Sequence, residues 1–147
     1  MKILPGFAAL LWFTAIGLAG DPSLVFYVQL VRGSDQDSLQ QASWKPLGPK
    51  LSEQLCPKFR WKNYWEVNRK TLNVQPGQPV RVRLSQEREI EIELRTAEES
   101  EIRLFTAGKL VRRSRQPTHS RMTIMGGGGD KAECWFVVVR RDKPSVD

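Results

Sequence analysis

The chain predicts an all-β fold: a single antiparallel β-sandwich or barrel of about seven to nine short strands, preceded by an N-terminal signal peptide. Three features predict it. Apolar residues recur with period two over several short stretches, and clusters of Gly, Pro, Ser and Asp separate those stretches. A helical spacing shows at one place only, near 50–56, where Leu51 and Leu55 stand four apart. No internal repeat is present.

The first segment reads as an address. Lys2 is followed by an apolar run from Ile3 to Leu18, and Gly17-Leu18-Ala19 offers small residues at the cleavage positions. Cleavage near Ala19/Gly20 makes residues 1–19 a signal peptide, 20–143 the β-domain and 144–147 a frayed tail. A retained N-terminal membrane anchor is the alternative, although Pro5 and Gly6 interrupt the run and it is short for a span. The expected location is therefore outside the cytoplasm, periplasmic or secreted. The lack of an Asn-x-Ser/Thr sequon fits a bacterial source better than a eukaryotic one.

Leu24 to Arg32 is the first strand, apolar on both faces and hence central or covered twice. Gly33 to Lys50 is a connection, and Pro57 ends the short helix. From Phe59 to Val67 the odd positions Phe59, Trp61, Trp65 and Val67 alternate with polar even ones, which predicts one buried face. Asn63 breaks that face and needs a partner or marks a bulge. Tyr64 and Trp44 fall outside the buried pattern.

Leu72 to Val74 is a short strand before the turn Gln75–Pro79. A hairpin follows. Val80, Val82 and Leu84 share one face with Ile90, Ile92 and Leu94 only if the loop is odd, as Ser85-Gln86-Glu87 makes it. That register sets Arg83 opposite Glu89 and Arg81 opposite Glu91, each pair worth a few tenths of a kcal/mol. Glu101 to Phe105 and Lys109 to Arg113 form another hairpin about Ala107-Gly108. Met122 to Met125 is short and ends in the tetraglycine Gly126–Gly129. The apolar run Cys134 to Val139, within Glu133 to Arg140, is a fully buried strand.

Composition narrows the function classes. Hydrophobic residues make up 40% and charged residues 27% of the chain, which is globular composition. The net charge of +7, to which Lys2 contributes one, draws the domain toward anionic surfaces. Cys56 and Cys134 are an even pair in an oxidising compartment and predict a disulfide, worth about 4–5 kcal/mol for so long a loop. Two buried free thiols are the alternative. One histidine and no close cysteine pair give no metal site, and no cofactor motif is present.

The local candidates for chemistry have plainer explanations. The tetraglycine lacks the Gly-Lys-Ser/Thr of a phosphate loop and leads into a strand. Glu87, Glu89, Glu91 and Glu93 lie roughly 6.6–7 Å apart along a strand face, too far for a cation cage or an acid/base pair. His119 sits in Gln116-Pro117-Thr118-His119-Ser120, a loop by composition.

Charge distribution says more. Seven of the sixteen acids lie between Glu87 and Glu101, and none lies from Ile102 to Gly129. The resulting expectation is a non-enzymatic exported binding module. Its basic face is Arg112, Arg113, Arg115 and Arg121, and its partner an anionic surface or protein of the cell envelope, with no specific nucleic acid. A second expectation is a glycan-binding domain that uses Trp44 and Tyr64 as exposed stacking rings. A third, remote, is a small hydrolase acting through His119 or the glutamates.

Overall fold

The computed structural model describes residues 22–37, 43–55, 59–128 and 133–144. It is an all-β sandwich with one short helix. The strands are β1 (Leu24–Ser34), β2 (Lys45–Pro46), β3 (Asn63–Val74), β4 (Val80–Arg83), β5 (Arg88–Leu94), β6 (Glu99–Thr106), β7 (Lys109–Pro117), β8 (Met122–Gly128) and β9 (Glu133–Arg140). Helix α1 spans Pro49–Leu55. One sheet has the order β2-β3-β1-β9-β8 and the other β4-β5-β6-β7, with every ladder antiparallel. The expected signal peptide at 1–19 and residue Cys56 lie outside the described residues.

Two apolar layers hold the fold. Between the sheets, Phe26, Val28 and Leu30 of β1 meet Ile90 and Ile92 of β5 and Ile102 and Leu104 of β6. On the opposite face of the five-stranded sheet, Val31, Phe136 and Val138 pack beneath Leu47, Leu51, Leu55, Trp61 and Tyr64. β1 and β9 are thus apolar on both faces because both faces are covered, as the apolar residues on both faces of β1 and the continuous apolar run of β9 predict. The helix exists to supply part of that second cover: its buried residues are Leu51 and Leu55.

The hairpin register follows the charge and apolar pattern. Arg81 pairs with Glu91 and Arg83 with Glu89, and the Leu84 amide closes the loop on the Arg88 carbonyl at 2.8 Å. The β6–β7 hairpin turns at Ala107 and Gly108, both with positive φ (49° and 75°), as a two-residue hairpin requires.

β3 departs from the expected pattern. It begins at Asn63 rather than Phe59 and runs without a break to Val74. Its pairing with β1 steps from Leu30↔Asn68 to Val31↔Glu66, which leaves Val67 as the extra residue of a bulge. Even-numbered side chains therefore change face across it. Leu72 and Val74 enter the inter-sheet core, and Asn68 donates across the sandwich to the Leu84 carbonyl at 2.8 Å. Tyr64 turns into the second layer instead. Asn63, the suspected misfit, bonds the Gln36 carbonyl at 2.9 Å and Asp37 at 3.2 Å.

Three smaller differences concern backbone extent. The connection after β1 contains β2, which pairs with Glu66 and Trp65. β8 continues through Gly128, with a bulge between Gly126 and Gly128, so part of the tetraglycine is strand. Pro144, expected in the tail, is buried.

The inter-sheet layer dictates a measurable cost. Ile92 is fully buried between the sheets, so Ile92→Ala should lower unfolding stability by about 2–5 kcal/mol, read as a reduced urea midpoint. Gly33→Val is expected to act on the other layer. A β-carbon at Gly33 would stand 2.6 Å from the Trp61 ring, so the variant should shift tryptophan emission as well as lower the midpoint.

Candidate functional site

Among the described residues β7 is an unpaired edge of the four-stranded sheet, and its residues are mostly exposed. Leu110 and Val111 are 45% and 54% exposed, the most open large apolar side chains among the described residues. Pairing with β6 shifts between Leu104 and Phe105, leaving Val111 as an extra residue that distorts the edge.

The four candidate arginines are not one face. Arg113 and Arg115 stand opposite Arg103 and Glu101, on the outer face of the sheet. Arg112 stands opposite the core residue Leu104, and so points to the other side, over the gap toward β8. Arg121 lies beyond the end of β7, in a concavity of about 410 Å³ with Arg140, Arg141 and Asp142. Asp142 pairs with Arg140 there. β7 therefore brings Lys109, Arg112, Arg113 and Arg115 onto one edge, and leaves Arg121 apart.

Beneath Arg113 and Arg115 runs an ionic network wider than the Arg81–Glu91 and Arg83–Glu89 pairs that the register implies. Arg103, in the middle of β6, contacts Glu91 at 2.5 Å, Glu93 at 2.6 Å and also Glu101. Glu101 further accepts from Arg115 at 2.7 Å and lies 3.5 Å from Arg113. These arginines leave its side chain only 1% exposed, although it sits on the outer surface of a sheet. The covering is one layer of side chains, so the carboxylate is walled by positive charge rather than sunk in apolar protein. The Arg115 hydrogen bond, helped by Arg103 and opposed by burial, holds the Glu101 carboxyl down at about 2. The opposite shift appears in Arg103, whose pKa is raised chiefly by its bond to Glu91.

Arg81 and Arg83 hold Glu89, at 2.8 Å and 3.8 Å, but Glu91 pairs with Arg103, and Glu93 with Arg103 and, at 3.6 Å, with Arg95. The Glu101-x-Arg103 spacing carried the signal for this, since residues two apart share a strand face. The glutamate ladder is thus neutralised by arginine on both sides. No group of acidic, histidine or cysteine side chains among the described residues is placed to hold a metal ion.

The expected glycan platform is not at the surface. Tyr64 is 5% exposed, lies edge-on to Phe136, and donates its hydroxyl to the Phe59 carbonyl at 3.0 Å. Trp44 is 9% exposed, with the Arg32 guanidinium 5.9 Å from its ring centre. For Tyr64 the reason is the β3 bulge and the double-sided sheet. Tyr64, which looks outward on a one-faced strand, points into the second apolar layer.

His119 lies exposed in the turn after β7, in a polar concavity of about 730 Å³ with Thr96, Glu98, Glu99 and Arg115. The Thr96 hydroxyl in that concavity accepts the backbone amides of Glu98 and Glu99, at 3.2 Å and 3.0 Å. It serves the turn. Cys134 is a free thiol. Burial, outweighing bonds from Trp61 and Gly33, pushes its pKa up and keeps it neutral. Cys56, its expected partner, lies outside the described residues.

No family model matches the chain, and no curated protein or solved structure is significantly similar to it. No described helix is long and apolar enough to cross a membrane.

The Glu101 cluster sets the acid response of the fold. A carboxylate whose folded pKa is depressed contributes stability above its unfolded pKa and loses it as pH falls through the folded one. Wild-type urea midpoints should therefore decline from about pH 5 toward pH 2, the folded pKa of Glu101. Glu101→Gln should show a lower midpoint at neutral pH and a flatter decline. Equal slopes for the two proteins would place the acid sensitivity elsewhere.

Proposed function

We propose that this chain is an exported, non-enzymatic β-sandwich that works by binding, and that it presents the β7 edge to an anionic protein partner of the cell envelope. The observation that carries this reading is the charge along β7. Lys109, Arg112, Arg113 and Arg115 line a free sheet edge, and no acid occurs from Ile102 to Gly129. Among the described residues Lys109 and Arg112 have no carboxylate partner. Arg113 and Arg115 share the single carboxylate of Glu101 while their side chains stay 53% and 56% exposed. The edge thus keeps a net positive field that steers an anionic surface toward it.

Leu110 and Val111 interrupt that charge with exposed apolar area, which gives short-range attraction once the partner has arrived. The bulge and the arginines make the edge a poor template for strand addition. Binding then runs through side chains and not through a shared ladder. Export follows from the N-terminal pattern of Lys2, the Ile3–Leu18 run and Ala19. The glycan reading loses its support with the burial of Trp44 and Tyr64.

The test is association of the mature chain with an acidic polypeptide, polyglutamate, followed across a salt series. Binding should be detectable at low salt and weaken steadily as salt rises. Arg112→Ser, Arg113→Ser and Arg115→Ser combined should lower both the affinity and the salt slope. Absence of binding at low salt, or equal binding by the triple variant with its fold intact, would sink the proposal.

A further inference from the structure

The second apolar layer is not closed everywhere. Helix α1 and Leu47 cover one part of the outer face of the five-stranded sheet. Beside them, between residues 59–61 and β8, a cleft of about 760 Å³ remains open. That volume falls inside the range of roughly 300–1,000 Å³ usual for small-molecule sites.

Its floor is built. Phe59 and Phe136 stack with ring centres 5.0 Å apart and planes 6° from parallel. Trp61 lies against β1 at Gly33, where any β-carbon would come within 2.6 Å of the indole. Met122 and Ile124 of β8 form the opposite wall. Gly126 closes the end, with φ 120°, and a β-carbon there would come within 3.0 Å of the Phe136 backbone. Glycine at both positions is what lets the rings and the strand approach so closely. The Cys134 thiol that also lines the cleft is neutral, its pKa raised by burial.

The rim is of one sign. Among the described residues, Arg60 and Arg112 are the charged side chains that line the cleft, and no described carboxylate does. The Arg60 guanidinium rests 4.9 Å from the Trp61 ring centre, at the edge of the apolar bed. Arg112 arrives from the other sheet, because its β7 position points it across the gap. An apolar trough with cations on its rim matches a ligand of the converse construction.

We infer that this cleft binds a single-chain anionic amphiphile, a monomeric acyl carboxylate, with its head between Arg60 and Arg112 and its tail over Trp61, Phe136, Met122 and Ile124. Burying the tail removes apolar surface from water on both sides, and the carboxylate receives charge-assisted hydrogen bonds at the rim. A sugar would find almost no donors or acceptors on this floor. An extended nucleic acid would find two cations where it needs a track of them.

The experiment is a titration of the full chain with dodecanoate, held below its micelle-forming concentration, followed by tryptophan emission and calorimetry. Saturable binding of one equivalent is expected, with dodecanol of equal chain length about tenfold weaker. Arg112→Gln, on an exposed edge, should weaken dodecanoate about tenfold without lowering the melting temperature. Met122→Glu should abolish binding; if that variant does not fold, Arg112→Gln still decides the matter. Three results would each overturn the site: no saturable binding, equal affinity for dodecanol, or Arg112→Gln binding like wild type. Binding only to vesicles of anionic lipid, with none to monomeric dodecanoate, would overturn it too. Saturable dodecanoate binding supports the site whether or not polyglutamate binds the β7 edge.

Discussion

Double-sided burial of the five-stranded sheet is the constraint on which the other features depend. β1 and β9 place apolar side chains on both faces, so a single partner sheet cannot satisfy them. The four-stranded sheet covers one face. The other has to be covered by chain that belongs to no sheet, and the residues around α1 provide it through Leu47, Leu51, Leu55 and Trp61. A seven-residue helix has little stability of its own. It is held by the apolar face beneath it, and that dependence runs one way: the sheet makes the helix.

The bulge at Val67 is the device that lets one strand serve both layers. Without an extra residue, every even side chain of β3 would face the same side. With it, Tyr64 reaches the helical layer while Leu72 and Val74 fill the core between the sheets. The same geometry explains why Tyr64, which period two places on the outside, is enclosed. Tyr64 satisfies its hydroxyl on the Phe59 carbonyl, as a buried tyrosine must. Gly33 plays a parallel part on β1, leaving room for the Trp61 indole that a side chain would occupy.

Much of the fold was legible because period two and cross-strand charge agree. The β4–β5 register could be derived from Arg81, Arg83, Glu89 and Glu91 together with the apolar set, and the ladder has that register. The double burial was legible from apolar residues on both faces of β1 and from the unbroken apolar run of β9. What escaped was anything that depends on a third element. A bulge leaves no periodic trace when the residues on both sides of it are half aromatic, as at Tyr64, Trp65 and Val67. The arginine cluster on β7 could be counted, but which of its arginines face the other sheet depends on a second bulge, at Val111. The cleft beside Trp61 was invisible, because its walls come from residues far apart in sequence.

That second bulge also separates two uses of positive charge that sequence proximity had merged. Arg113 and Arg115 are committed to Glu101, and Arg103 ties Glu101 to Glu91 and to Glu93, its opposite residue on β5. Removing Glu101 from this arrangement would leave three guanidinium groups facing one another, so the buried carboxylate is what allows arginines to crowd the edge at all. Arg112 escapes that network because one added residue turns it toward the opposite side of the sheet. Its charge is therefore not spent within the fold. A shift of a single backbone position decides which arginines serve the structure and which remain available to a ligand.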